Sequence, residues 1–328
     1  MALGNGLQPP PSTAMIQPPL PLGLGSDLQA VERIIQERTR ARAAVISVAD
    51  PHLLRPGDTR LRSTLVLLAA QLGDYQLDRA VHAAAAIELI YAATSTHDSL
   101  VDEVDRRRGQ VRQGDWNHGI SLMIGDYLFA LAAGEMALSP DPRVISYFSQ
   151  AVMQICESQL APVRALRPAE QAAEQYFAYI AGTSAALYAA ACTAGAACGG
   201  LDAEQIAALG RFGHELGMAL RIGEELHDFA RGSANGMSLA GSSLRHGAAT
   251  LPLILAAATG DGNRLELALE LGHADLDWSV GEVRRHGVGP ARAELARRTA
   301  AAHAALAPFA ASPARAALEQ IADYAGGA

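Results

Sequence analysis

The stretch that decides the fold spans residues 87–109 and reads IELIYAATSTHDSLVDEVDRRRG. On a helix, Asp98, Asp102 and Asp105 fall at positions i, i+4 and i+7, which places them on one face. Like charges on one face repel each other. If that face lies inside a bundle, Mg²⁺ can offset the repulsion, because it prefers hard oxygen ligands. The stretch therefore predicts a helix with an acidic, metal-binding stripe.

A second acidic stripe lies at residues 217–228, which read GMALRIGEELHD. Glu224 and Asp228 are at positions i and i+4, and Arg221 is one turn earlier on the same face. One alternative is a solvated face on which Arg221 pairs with Glu224 or Glu225. Two such stripes on apolar helices favour the other alternative, in which opposed carboxylates hold metal ions and a diphosphate between them.

The composition favours an all-α protein. The chain has 328 residues, of which 50% are hydrophobic and only 5% aromatic, so its apolar content is mostly alanine and leucine, both strong helix formers. All 26 basic residues are arginine, and the formal charge is -8. Because there is no long basic run, we expect no nucleic-acid partner.

The chain divides into an arm and one helical domain. Residues 1–25 contain six of the 16 prolines and no apolar periodicity, which predicts a flexible N-terminal arm. Ser26 and Gln29 form a capping-box pattern at the start of a single all-α domain, residues 26–328. The segment 231–247 is rich in Gly and Ser and predicts a mobile lid or a crossover. Apolar periodicity predicts helices at 27–47, 60–73, 77–105, 117–137, 141–161, 169–198, 203–229, 248–259, 261–271, 276–286, 289–306 and 313–325.

The cysteines and the N-terminus favour a cytoplasmic protein. Cys156, Cys192 and Cys198 are odd in number and lack CxxC spacing, so we interpret them as small core residues in a reducing compartment. No basic segment of a signal peptide opens the chain. The longest apolar stretch, near 185–201, is alanine with glycine, and we expect no membrane span.

From about Leu54 to Ala257, the motifs resemble those of the trans-isoprenyl diphosphate synthase (polyprenyl synthetase) family in order and spacing. The resemblance implies an all-α isoprenoid-synthase fold, an antiparallel helix bundle with a central prenyl cavity. It also implies Mg²⁺ between the acidic motifs and a dimer. The matching segments are 56–63 (GGKRLRP in the family), 87–109 (HDDxxDExxxRRG), 116–128 (WGxxxAxLxGDYL), 180–187 (KTAxL), 220–228 (FQxxDDxxD) and 238–252 (DLxEGKxTLP).

The resemblance also assigns roles to individual residues. The substrates it implies are an allylic prenyl diphosphate and isopentenyl diphosphate. The implied catalytic residues are Asp98, Asp102, Glu224 and Asp228, which with Glu225 are also the metal ligands. The implied substrate-binding residues are Gly57, Arg62, Arg107, Arg108 and Arg221.

Several positions depart from the family pattern. An acid of the first motif is Ser99, and a histidine of the family is Tyr91. Three diphosphate-binding lysines correspond to Thr59, Gly182 and Ala248, although a chain that uses arginine so freely could have kept a cation there. Each loss removes a charge-assisted contact worth ~1.5–3 kcal/mol. We therefore expect ordinary elongation with isopentenyl diphosphate to be weakened.

Three functions remain open at this point. The first is an enzyme that ionises an allylic prenyl diphosphate, followed by condensation with isopentenyl diphosphate or by cyclisation, water capture or transfer to another acceptor. The second is a non-catalytic or regulatory subunit of a hetero-oligomeric prenyl diphosphate synthase, so that the dimer is homo- or heteromeric. The third is a prenyl-binding protein. Ala93 and Thr94, just before the first motif, are small and predict substrates of C15 to C20 or longer.

Overall fold

The computed structural model describes residues 23–42, 60–106, 116–163, 165–230, 233–234, 237–238, 240–271 and 275–327. In these ranges the regular secondary structure is helical apart from one short hairpin. The helices are α1 (Gly25–Thr39), α2 (Leu61–Ala70), α3 (Leu77–Arg106), α4 (Trp116–Leu138), α5 (Arg143–Gln159), α6 (Ala169–Ile180), α7 (Ala186–Cys198), α8 (Ala203–Ala230), α9 (Ser242–Arg245), α10 (Leu251–Thr259), α11 (Gly262–Leu271), α12 (Leu276–His286), α13 (Val288–Ala305) and α14 (Pro313–Ala325).

The first helix differs from the prediction at both ends. It begins at Gly25, and Ser26 donates its hydroxyl to the Asp27 carboxylate (3.1 Å), so the predicted capping box is wrong. The helix ends at Thr39 and a 3-10 turn follows it to Arg42; the rest of the predicted helix, residues 43–47, lies outside the described residues. Most of the predicted arm, residues 1–22, lies outside the described residues.

A π-helical turn, Ala181–Ala185, separates α6 from α7 where a single helix was predicted. At this turn the backbone meets α5 closely, since a Cβ added to Gly182 would lie 1.8 Å from Ser158 Oγ. The run Ala169–Cys198 is long and apolar enough to cross a membrane by length and composition alone. More than half of its most apolar part is buried inside the bundle, as expected of a core helix.

Helix α7 lies at the centre of the bundle, against α2 on one side and α8 on the other. Glycines allow the close approach. A Cβ on Gly195 would lie 2.2 Å from the Val66 carbonyl oxygen of α2, and one on Gly213 of α8 would lie 2.3 Å from that of Tyr188. This packing brings the first turn of α2 and the C-terminal half of α8 to the start of α7.

One hydrophobic core runs from Leu24 to Ala325. Cys192 and Cys198 belong to it, but Cys156 is exposed, so the prediction that all three are core residues is wrong for Cys156. In the predicted lid segment, Ser233–Ala234 pairs antiparallel with Met237–Ser238, and α9 follows.

Candidate active site

Arg62, in the first turn of α2, lies between two tyrosines. Its guanidinium carbon is 3.3 Å from the centre of the Tyr91 ring and 5.1 Å from that of Tyr188, distances at which a cation is attracted to an aromatic face. Burial lowers the pKa of Arg62, but Tyr188, Tyr91 and Glu88 outweigh it and the pKa is raised. The guanidinium therefore stays charged.

The hydrogen bonds around Arg62 are incomplete. Within the described part of the chain, its buried Nε has no acceptor. The nearby Glu88 carboxylate instead accepts from the Ser63 backbone N–H (2.9 Å) and hydroxyl (3.2 Å). A buried donor without an acceptor costs about 1–3 kcal/mol. The attraction of the Tyr91 and Tyr188 rings offsets part of this cost.

Glu224 of α8 has a carboxylate that is open to solvent on one side. Its side chain is 45% exposed, and Arg221 Nη1 is 3.9 Å away. Burial against the rest of the protein raises the pKa of Glu224, while the charges of Arg221 and Arg62 lower it. Glu224 is therefore within electrostatic reach of Arg62, and its oxygens are available to a cation.

The neighbouring Glu225 is buried, and its carboxylate accepts hydrogen bonds from other parts of the protein. It accepts hydrogen bonds from Arg221 Nε (3.0 Å), the Tyr176 hydroxyl (2.8 Å) and the Leu251 backbone N–H (3.0 Å). Binding a metal would require these donors to be displaced from a buried site. The geometry thus speaks against the prediction that Glu225 is a metal ligand and gives it a structural role that joins α6, α8 and α10.

Asp228, one turn later, caps α9. Its carboxylate accepts from the backbone N–H groups of Ser242 (2.9 Å) and Ser243 (3.0 Å) and from the Ser243 hydroxyl (2.9 Å). About four acceptor positions exist on a carboxylate, so one remains. Its predicted role as a metal ligand stays a prediction.

The first acidic motif lies on the last turns of α3. Positions 91, 98 and 102 are spaced by seven and four residues and share one face of this helix, with position 98 about 10 Å beyond position 91 along the axis. His97 anchors this end of α3, because a Cβ on Gly125 of α4 would lie 2.0 Å from its Nε2. The motif is therefore on the helix face that carries Tyr91.

Several predicted positions lie outside what the structure describes. The backbone of the first motif is described, but its side chains are not; residues 57, 59, 107 and 108 fall wholly outside. Among the described side chains, no group of three or more His, Cys, Asp and Glu residues forms a metal site by itself. The predictions that remain untested for this reason concern Gly57, Thr59, Asp98, Ser99, Asp102, Arg107 and Arg108.

Gly182 lies where the π turn approaches α5. A Cβ there would meet Ser158 of α5, so a side chain at 182 would be directed at α5 and not at the acidic motifs. The next residue, Thr183, donates to the Tyr179 carbonyl (2.9 Å) one turn earlier, and Tyr179 acts electrostatically on Arg221. Ala248 is half-buried in the turn before α10.

Sequence reasoning missed three polar residues at this site. Glu88 precedes Tyr91 by three residues on α3, and helical spacing could have identified it as a neighbour. Tyr176 and Tyr188 could not be found in this way, because their contacts are with residues 49 and 126 positions away. Burial raises the pKa of Tyr188 to about 12, so it remains a neutral hydroxyl.

The described bundle has the all-α isoprenoid-synthase fold. The family model for polyprenyl synthetase matches residues 44–277. The chain is 33% identical to heptaprenyl diphosphate synthase component 2 of Geobacillus stearothermophilus, over 71% of this chain and 73% of that protein. The chain therefore belongs to the polyprenyl synthetase family, whose members are prenyltransferases of isoprenoid biosynthesis.

Solved structures agree with this assignment. A decaprenyl diphosphate synthase from Rhodobacter capsulatus is 32% identical with a TM-score of 0.80, covering 93% of this chain and 96% of its own. A polyprenyl synthase from Caulobacter crescentus CB15, complexed with calcium and isoprenyl diphosphate, is 30% identical with a TM-score of 0.80, covering 93% and 95%.

Proposed function

We propose that this protein catalyses the Mg²⁺-dependent departure of diphosphate from an allylic prenyl diphosphate and the transfer of the allylic group to a nucleophile. The observation that supports the proposal is the pair of interactions that Arg62 makes, one with Tyr91 on the helix of the first motif and one with Glu224 of the second. Arg62 stacks on Tyr91, which shares a helix face with positions 98 and 102, and it also acts on Glu224 of the second motif. A diphosphate between the motifs would contact residues from both.

The residues present fit a divalent cation in part. Glu224 has a solvent-accessible carboxylate, and we propose that it holds Mg²⁺ with Asp98 and Asp102, while Asp228 has one acceptor position left. Mg²⁺, when bound, neutralises charge on the diphosphate and eases its departure. Glu225 contributes by holding Arg221, and its three internal donors exclude it from the proposed ligand set.

We propose that arginine side chains bind the departing diphosphate. The allylic C–O bond breaks and its electron pair leaves with the diphosphate, whose new charge Arg62 and Arg221 are placed to stabilise. Arg107 and Arg108 are proposed to contact the same group. The nucleophile supplies the electron pair of the new bond and loses a proton. We propose an allylic substrate of C15 to C20 or longer, since the buried Ala93 and Thr94 are small.

A catalytic role is favoured over that of a non-catalytic subunit. The relatives are themselves named as prenyl diphosphate synthases, and Glu224 keeps an available carboxylate. A protein that only binds a prenyl chain would not need an available carboxylate at Glu224. We also propose that the protein acts in the cytoplasm, in keeping with its family and with the burial of the long apolar helical run Ala169–Cys198.

Diphosphate release tests the proposed function. The full chain is incubated with geranyl, farnesyl or geranylgeranyl diphosphate and Mg²⁺, and released diphosphate is measured. We expect release that EDTA abolishes and that Mg²⁺ restores. No release from any of the three substrates would contradict the proposal.

A further inference from the structure

Arg60, directly before α2, has a left-handed backbone conformation. Its φ is 42° and its ψ is 47°, and it is one of two non-glycine residues with a positive φ in the part of the chain that the structure describes. This conformation brings the Cβ close to a backbone carbonyl, so it persists only where surrounding contacts hold it. The Arg60 carbonyl accepts from the Thr64 N–H (2.8 Å), which makes Arg60 the residue at which α2 begins. The position of Arg62, two residues later, therefore depends on the conformation of Arg60.

Glu32 of α1 holds the Arg60 side chain. Arg60 donates from Nε (3.0 Å) and from Nη2 (2.7 Å) to Glu32 Oε2. The two side chains are only 7% and 20% exposed, so salt and water screen this ion pair less than a pair on the surface. Hydrogen bonds between charged groups are also stronger than those between neutral groups. The pair is thus a contact able to hold Arg60 in its left-handed conformation.

Helix α1 is itself fixed to the bundle at this point. Val31, next to Glu32, is fully buried in the core. Asp27, one turn earlier, accepts from the Tyr75 hydroxyl (2.6 Å). Tyr75 follows the end of α2 and Arg60 precedes its start, so α1 contacts the chain at both ends of α2. Glu32 therefore holds Arg60 from an element that is anchored independently of it.

We infer that Glu32 and Arg60 are positioning residues that set the place of the Arg62 guanidinium. The inference rests on the proposed function, in which the charge of Arg62 stabilises the departing diphosphate. The Arg62 guanidinium carbon lies 3.3 Å from the centre of the Tyr91 ring and 5.1 Å from that of Tyr188, so a small shift at the start of α2 would remove it from this stack. Its charge would then act from a different distance, on which the electrostatic energy depends.

Two replacements of Arg60 separate the positioning role from the ion pair alone. Arg60→Ala and Arg60→Gly both remove the ion pair with Glu32, but only glycine adopts a positive φ without strain. Diphosphate release from farnesyl diphosphate is measured with Mg²⁺. We expect Arg60→Ala to lower kcat about tenfold with KM changed less than about twofold, as for an interaction made in the transition state. Arg60→Gly should lower kcat by no more than about threefold. Equal kcat values in the two variants would overturn the inference.

Glu32→Ala tests the other side of the ion pair without altering the residue at the start of α2. We expect kcat to fall about tenfold, as for Arg60→Ala, again with little change in KM. Glu37→Ala, at an exposed glutamate of the same helix, is the matched control and should leave both constants unchanged. A Glu32→Ala enzyme with the kcat of the wild type would overturn the inference.

The Arg62 Nε–H decides the inference even without turnover. In the ¹⁵N-labelled full chain, its NMR signal is assigned as the one that Arg62→Lys removes. The Nε is buried, so its proton should exchange slowly with water in the wild type. Glu32→Ala should speed this exchange at least about tenfold, whereas Glu37→Ala should not. An unchanged exchange rate in Glu32→Ala would overturn the inference, while a wild-type chain that releases no diphosphate would count against the proposed function alone.

Discussion

Two adjacent glutamates on α8 have opposite environments. Glu225 is buried and accepts three hydrogen bonds, whereas Glu224 is 45% exposed and lies 3.9 Å from Arg221 Nη1. Successive helical positions differ by about 100°, so one of two neighbouring acids can face the core while the other faces the cleft. The motif therefore divides into a solvent-accessible carboxylate, Glu224, and a buried, hydrogen-bonded one, Glu225.

Replacing Glu224 tests this division at the residue scale. Glu224→Gln removes the charge of a proposed metal ligand, and we expect diphosphate release to fall about 100-fold, since each 1.36 kcal/mol changes a rate tenfold. Glu204→Gln, in the first turn of the same helix, is the matched control and should leave the rate unchanged. A Glu224→Gln enzyme as fast as the wild type would show that Glu224 holds no metal.

The sequence predicted which residues share a helix face, but not which residues of other helices their side chains contact. Helical spacing brought Arg221, Glu224 and Asp228 to one face, but it could not reveal that Glu225 is held by Tyr176, which comes from a different helix. Helical spacing likewise could not predict that Gly182 lies against α5. Its neighbours on α5 depend on the π turn, and no periodicity in the sequence signals such a turn.

Three helices are joined at the site by one buried carboxylate. Glu225 connects the Tyr176 hydroxyl of α6 to the first backbone N–H of α10, and it also holds Arg221 in place. Burial and the charge of Glu225 raise the pKa of Tyr176 well above its ordinary value, so the hydroxyl keeps its proton as a donor. The position of Arg221 thus depends on α6 as well as on α8.

Removing the Tyr176 hydroxyl should weaken this junction. Tyr176→Phe leaves Glu225 with one donor fewer, and we expect the free energy of unfolding to fall by about 1–2 kcal/mol. Urea denaturation measures the change. Tyr147→Phe, at a half-buried tyrosine of α5 outside this junction, is the control. Equal stability of Tyr176→Phe and the wild type would contradict the proposed role of the hydrogen bond.

The start of α5 has a pH-dependent contact of its own. Asp141 accepts from the Arg143 backbone N–H (2.9 Å) and guanidinium (2.7 Å), and the guanidinium hydrogen bond lowers the pKa of Asp141 below its ordinary value of 3.8. A lowered carboxyl pKa stabilises the fold above the ordinary value, and this stabilisation is lost as the pH falls through the lowered value.

Asp141→Asn should therefore destabilise the protein at neutral pH by up to about 1 kcal/mol, as expected for loss of a partly exposed ion pair with Arg143. The difference from the wild type should shrink as the pH falls below 3.8. Thermal unfolding at several pH values measures it. A difference that is constant with pH would contradict the role of the charge.

At the scale of the whole molecule, exposed apolar side chains are concentrated on one pair of helices. Among the described residues, six of the eight large exposed hydrophobic residues lie on α4, on α5 or directly after it. Such a concentration is typical of an interaction surface. The six residues are Leu122, Met123, Leu138, Ile145, Met153 and Leu160.

We expect this surface to form a dimer of the chain. Met153→Arg, which places a charge on it, should convert the dimer to a monomer in light scattering after gel filtration. Leu267→Arg, at an equally exposed leucine of α11, should leave the dimer intact. A monomeric wild-type chain that pairs only with a related synthase would favour a heterodimer, as the name of the relative "component 2" suggests for that protein.

The fold was largely predictable because apolar periodicity in an alanine- and leucine-rich chain is a local property. The predicted bounds of α3, α8, α12 and α14 agree with the structure to within a residue. The site was predictable only where its residues share a helix. The stack of Arg62 on Tyr91 and Tyr188 joins three helices, and only packing determines it.

We propose that both acidic motifs hold metal around one diphosphate. The most direct test is a crystal structure with Mg²⁺ and a thio-analogue of farnesyl diphosphate. We predict Mg²⁺ contacting Asp98 and Asp102 on one side and Glu224 on the other, with Glu225 still bound to Tyr176. A cleft that binds neither metal nor the analogue, with Glu224 turned into a protein contact, would contradict the account.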